Sequence, residues 1–250
     1  MGWLAQRFIN KFNLGKCPRV KYPEHKFING KRLHKSPWGY LPGATTVLGQ
    51  TKDSGSKVAL DRWRQNNPEE GKRVLARGRN LDDYVGKFWS GVEIMNDSSV
   101  TTKLSPQDKL NQQIDEFLSV LAPCAIEYPL ASLSGFCGSP DAIAQIVKKP
   151  SPSHPLASLP KDSIILIDFK TSTKKKTDSK VKDYFLQLGA YSHLIKENFN
   201  FDISYAVIAM ACEETGYPLF WILHTNDITK YRLEFFNRLE QYNEEYSDGF

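Results

Sequence analysis

The chain has 250 residues, of which 40% are hydrophobic, 12% aromatic and 24% charged, with a formal net charge of +5. That is long enough for one sizeable domain with a buried core, and no uncharged run approaches the length needed to cross a bilayer, so a membrane-spanning class is set aside. The charge is uneven: residues 1–75 hold 15 Lys/Arg against 5 Asp/Glu, a balance of +10, while residues 201–250 hold 3 against 9, a balance of −6. A basic N-terminal third suits a polyanion such as nucleic acid.

The opening MGWLAQRFIN lacks the apolar core and small-residue cleavage site of a secretory signal, so the cytoplasm is the expected compartment. Cys17, Cys124, Cys137 and Cys212 lie far apart without a C-x-x-C pair, which points to neither a zinc ribbon nor a disulfide framework. The first forty residues mix Lys, Pro, Gly and aromatics without periodicity and read as an irregular or short-stranded arm. A helix is expected near TTVLGQT and another over SKVALDRWRQNN, closed by Pro68. Val74, Leu75, Leu81, Val85 and Phe88 recur at helical spacing, as do Leu110, Ile114, Phe117, Leu118 and Leu121, which makes the N-terminal half mostly helical.

From Ala125 the segments AIEYPLAS, FCGSPDAIAQIVKK and SIILIDFKTS are short, apolar and bounded by Pro, Gly and Ser, as strands are. The insert KKPSPSHPLASLPKD between the last two reads as a long, mobile hairpin connection on the surface. VKDYFLQLGAYSHLIKENF is then helical, SYAVIAMACEE and LFWILHT are strands, and DITKYRLEFFNRLEQYNEEY presents Ile228, Phe235, Leu239, Tyr242 and Tyr246 along one helix face. The order predicts a mixed α/β or α+β sheet with helices against it. Residues 1–120 form the basic arm and helical lobe and residues 121–250 the core, in one compact unit.

In a strand Asp168 and Lys170 share a face while Phe169 points to the opposite layer. An antiparallel hairpin would bring Asp141 within reach of Asp168, and two adjacent carboxylates repel unless a cation bridges them. Mg²⁺ takes one or two carboxylates with water and phosphate oxygens, and it polarises a phosphate, while Lys170 positions or deprotonates the attacking water.

These residues carry a resemblance. SPD at 139–141 followed by DFK at 168–170 resembles the signature of the PD-(D/E)xK nuclease superfamily. QLGAY, with Gln187 and Tyr191 one helical turn apart, is similar to the Q-x-x-x-Y helix of its RecB-like exonuclease branch, and Glu127 and Gly138 stand where that branch has an acid and the G-x-x-D glycine. PGATTVLGQTKDSGSKVALDRWRQ is similar to the entry segment of phage exonucleases and of the mitochondrial genome maintenance exonuclease, so the resemblance covers roughly residues 42–195. It implies a restriction-endonuclease-like core and a metal-dependent DNA exonuclease acting on single-stranded or end-bearing DNA in the cytoplasm, that of a host if the source is a phage. Its catalytic residues would be Asp141, Asp168, Lys170, Glu127, Gln187 and Tyr191. Mg²⁺ or Mn²⁺ would be held by Asp141, Asp168 and the Phe169 backbone carbonyl. Where the family has a metal-binding histidine this chain has Asp82 in ARGRNLDDYV, which departs from the pattern although aspartate also ligates these ions.

Arg77, Arg79, Ser172, Lys174, Lys175, Lys176, Thr45 and Trp63 are the expected nucleic-acid contacts, with Trp38 and Tyr40 as further stacking candidates. Each has a plainer alternative. Asp168 and Lys170 could be an ion pair at a strand end, Glu127 and Asp82 surface acids, Tyr191 a core aromatic, and Lys174–Lys176 a solvated loop. Two other readings stay open: a non-catalytic nucleic-acid-binding or recombination accessory protein that keeps the fold, and a CRISPR-associated RecB-like nuclease. The latter group carries an iron–sulfur cluster on four cysteines, three near the C-terminus, whereas only Cys212 lies late here, so no cluster is expected. The five histidines show no metal-ligand spacing.

Overall fold

The structure, a computed structural model, describes residues 24–28, 31–91 and 104–246. Most of the expected basic arm, residues 1–23, lies outside the described residues, as does Cys17. The described part of the arm forms a small antiparallel sheet of β1 (His25–Ile28), β2 (Lys31–Ser36) and β3 (Gly39–Pro42). Five helices follow: α1 (Ala44–Gln50), α2 (Ser54–Asn66), α3 (Pro68–Ser90), α4 (Pro106–Gln112) and α5 (Asp115–Ser119). Then come β4 (Leu121–Ile126), β5 (Leu130–Ala131), β6 (Cys137–Gly138), β7 (Ala142–Ile146), β8 (Ile164–Ser172), α6 (Asp178–Phe199), β9 (Tyr205–Cys212), β10 (Leu219–His224) and α7 (Thr225–Tyr246).

The fold is mixed α/β, of the α+β kind. A five-stranded sheet in the order β10-β9-β8-β7-β4 pairs antiparallel throughout except at β8–β9, which is parallel and is crossed over by α6. Two apolar clusters cover its two faces. Ile164 and Leu166 of β8 pack with Leu188 and Ile195 of α6 and Phe235 and Leu239 of α7, while Ile165, Ile167 and Phe169 pack with Leu81 of α3, Leu110 of α4 and Phe117 of α5. Strict alternation along β8 therefore puts Asp168 and Lys170 on the α6 side.

Local chemistry explains most boundaries. Pro68 occupies the first turn of α3, where its missing N–H has no helical partner to lose, and Gly91 ends that helix in the left-handed conformation at φ 66°. Ser105 and Asp108 cap α4 reciprocally. Several expectations are corrected. Leu75 is 63% exposed, because the buried stripe of α3 runs through Arg77, Leu81, Tyr84 and Val85 instead. Leu121 begins β4 rather than extending the helix before it. Pro123, two residues on, cannot sit in a helix interior and is tolerated on this edge strand, where the register shifts beside it. FCGSPDAIAQIVKK is not one strand but two, since Pro140 has no N–H for a ladder and the chain leaves one sheet for another there.

The insert between β7 and β8 also differs from the free surface connection expected. It is closed by turns and buries His154, Leu156 and Leu159 against the α3–α5 layer. Leu156 and Leu159, three residues apart, supply an apolar contact that the Pro and Ser content obscured.

Candidate active site

The β7–β8 ladder pairs Ala142 with Ile167, so one step further along it brings Asp141 beside Asp168. Asp141 Oδ2 accepts the Phe169 N–H at 2.8 Å, which fixes the first carboxylate to the strand carrying the second. Lys170 Nζ lies 2.7 Å from Asp168 Oδ2 and 3.9 Å from Asp141 Oδ2. The Asp168 side chain is 0% exposed, and with both acids ionised its Oδ1 has no donor within reach.

Burial sets the electrostatics. It pushes Asp168 up to about 7, with the Asp141 charge adding and Lys170 opposing. It also raises Asp141, opposed by Lys170 and the Phe169 N–H and reinforced by Glu127. Burial alone would lower Lys170, but the two carboxylates overcome it and hold the ammonium above its ordinary value. The two carboxylates repel each other, so the pair favours a bound proton or a cation.

The α6 face of the sheet completes the pocket. Gln187 Nε2 donates to Tyr191 Oη at 2.9 Å, and both side chains are buried. Burial and the nearby Asp141 and Asp168 raise the Tyr191 phenol, which therefore stays neutral. Gly138 is required by this helix: a Cβ there would stand 2.5 Å from Tyr191 Cε1. Glu127 leaves β4 at φ 47°, and its N–H donates to the Asp141 carbonyl at 3.1 Å.

The structure thus brings together Asp141, Asp168, Lys170, Gln187 and Tyr191, with Glu127 at their edge. Phe169 packs its ring behind the site, against Trp89 and Phe117. Asp82 lies on α3, and among the described residues no group of three His, Cys, Asp or Glu side chains is placed to hold one ion. Arg77 is 4% exposed and its Nη1 contacts Thr173 Oγ1 at 2.8 Å and Glu213 Oε1 at 2.9 Å, so its charge is neutralised within the fold. Ser172 is buried and its hydroxyl donates to the Lys174 carbonyl at 2.6 Å, shaping the turn after β8. Lys174, Lys175, Arg79 and Thr45 are exposed, Lys176 is half-buried, and Trp63 stands 40% exposed on α2, a helix with no buried residue.

Tyr184 escaped the sequence reading. Its ring centroid lies 5.3 Å from Lys170 Nζ, and its place one turn before Gln187 on α6 is the signal that would have found it.

The donor set suits a hard divalent ion. A buried carboxylate oxygen without a partner costs roughly 1–3 kcal/mol or more, and Mg²⁺ or Mn²⁺ on one or two carboxylates removes that cost.

No protein-family model matches the chain, and no curated protein matches it. Among solved structures it is similar to one described as the crystal structure of SSO0001, at a TM-score of 0.30 and 11% identity over 94% of this chain and 84% of that one. A likeness at that level carries no argument about fold or function. Among the described residues no helix is long and apolar enough to cross a membrane.

Proposed function

We propose that the chain is a metal-dependent deoxyribonuclease of the PD-(D/E)xK type, of the RecB-like exonuclease branch, that hydrolyses phosphodiester bonds in single-stranded or end-bearing DNA. One observation carries the reading: Asp141, Asp168 and Lys170 meet at one end of the central sheet, with a buried Asp168 oxygen that lacks a donor. Asp141 and Asp168 would hold Mg²⁺ or Mn²⁺, with the Phe169 carbonyl as a further oxygen donor. When bound, the ion supplies positive charge at the scissile phosphate and acidifies a water.

The chain's own residues do the rest. The two carboxylates favour the ammonium form of Lys170, which in that form orients the attacking water and offsets charge in the transition state. Tyr191, neutral and held by Gln187, keeps a proton to donate. Phe169 and the apolar layer behind it keep bulk water from that side of the strand, which strengthens each of these interactions.

A second reading, a non-catalytic nucleic-acid-binding accessory protein, is favoured by one feature, an aspartate, Asp82, where the resemblance has a metal-binding histidine. Calorimetric titration with Mn²⁺ separates the two. The nuclease reading expects binding that releases protons near pH 7, since a pair holding a proton must give it up, and loss of that binding in Asp141→Asn and Asp168→Asn. Absence of any divalent binding to the parent would favour the accessory protein.

A further inference from the structure

A groove of about 880 Å³ opens between the α1–α2 junction, the start of α6 and the middle of α7. Most charges lining it are compensated. Lys52 pairs with Asp183 at 2.9 Å and Lys182 with Glu234 at 2.9 Å. Arg238 donates to the Leu48 carbonyl and to Thr51 Oγ1, and Asp53 caps α2 through the Ser56 N–H.

Lys176 and Lys180 are different. Among the described residues neither has an ion-pair partner, and Lys176 is half-buried beside Lys180, Lys52 and Arg77, all cationic. Burial and these neighbours depress its pKa, the mark of a cation short of an anion. The N-terminus of α6, a 22-residue helix whose cap residue Thr177 makes no side-chain cap bond, opens on the same space. The positive end of that helix dipole favours negative charge there, part of it supplied by Asp178 in the first turn.

Lys180, which lines the groove, also heads a stripe on α6 that ends in the site. Lys180, Tyr184, Gln187 and Tyr191 follow one another on α6 at spacings of four, three and four residues, which stacks them in a stripe roughly 16 Å long. Its far end is the Gln187–Tyr191 pair, and its middle, Tyr184, is partly exposed beside Lys170. A partly exposed ring offers a stacking platform to an unpaired base, whereas a base inside a duplex is already stacked.

We infer that this groove is the path of a single nucleic-acid strand into the Asp141–Asp168 site, with phosphates on Lys176 and Lys180 and an unpaired base on Tyr184. The inference rests on the nuclease reading of that site.

The probe is a fluorescein-labelled single-stranded oligonucleotide of mixed sequence, titrated onto the full chain across a salt series in EDTA, with Mg²⁺-driven cutting measured in parallel. Lys176→Gln with Lys180→Gln lowers the slope of log affinity against log salt by about 1.4, two contacts at about 0.7 each, and weakens binding on the order of 10- to 30-fold at about 0.1 M salt. Tyr184→Ala weakens single-strand binding about tenfold while Tyr184→Phe retains it, and the blunt duplex is indifferent to both. Lys148→Gln with Lys149→Gln, exposed beyond the other end of β7, keeps the parental slope and cutting. A parental slope in the Lys176/Lys180 variant, or an equal drop in the Lys148/Lys149 control, overturns the groove while leaving a parent that cuts as a nuclease. A parent that neither binds nor cuts overturns the nuclease reading itself, and the groove with it.

Discussion

Asp168 is the residue at which the fold works against itself, because a fully buried carboxylate next to another acid is held in place by one lysine. Its folded pKa, about 7, lies above the ordinary aspartate value of 3.8 that it takes in the unfolded chain, so the folded state binds more protons than the unfolded state between those limits. The stability this contributes is present below the unfolded value and is lost as pH rises through about 7. Thermal melts in EDTA therefore fall in Tm from pH 5 toward pH 7.5, and Asp168→Asn, which keeps the shape and removes the charge, flattens that fall and is at least as stable as the parent at neutral pH. A parent whose Tm is constant over that window would show that Asp168 titrates normally. At this scale the sequence was informative where side chains alternate along one strand, as with Asp168, Phe169 and Lys170. It was uninformative where a charge meets its partner across the fold: Arg77 looked like a phosphate ligand because Glu213, far along the chain, cannot be seen pairing with it.

Among the elements, α6 carries the most constraint, since it packs on the sheet, on α7 and on the site together. Two glycines permit this. A Cβ at Gly138 would meet the Tyr191 ring, and one at Gly189 would stand 2.5 Å from the Arg232 backbone nitrogen of α7. Gly189→Ala has to push two helices apart and Gly138→Ala only to displace a ring, so urea denaturation gives a loss of about 1–3 kcal/mol for Gly138→Ala and a larger one for Gly189→Ala. Relative to stability, Gly138→Ala loses more cleavage, because the ring it displaces belongs to the site. Equal losses of cleavage per unit of stability would remove Tyr191 from the site's machinery. The periodic stripes of α6 and α7 were legible, as was β8, whereas that of α3 was misjudged at Leu75. The breaks at Pro123 and Pro140 were harder, because one apolar run suits a helix or a strand until the proline is weighed. The insert between β7 and β8 was misjudged because composition counts prolines and serines, whereas packing counts Leu156 and Leu159. Leu156→Ala costs about 2–5 kcal/mol by denaturant unfolding, and Leu133→Ala, at 76% exposure, stays within about 0.5 kcal/mol. A neutral Leu156→Ala would return the insert to a loose surface loop.

For the whole molecule, two layers of helices enclose a mixed sheet that gathers two acids and a lysine on its α6 face. That architecture follows from the order of helical and strand periodicities, and the uneven charge is consistent with a polyanionic partner. Sequence periodicity did not disclose the groove, because its lining comes from three segments that meet only after folding. The central claim is that the acid pair and Lys170 cut DNA with a divalent ion. End-labelled single-stranded and duplex oligonucleotides, incubated with the parent, Asp168→Asn and Lys170→Met in Mg²⁺ or Mn²⁺, test it through product length over time. The account predicts progressive shortening by the parent, abolished by EDTA and reduced by at least about 10²-fold in both variants while their melts remain cooperative. A parent that leaves every substrate intact, or variants that cut as fast as the parent, would contradict it.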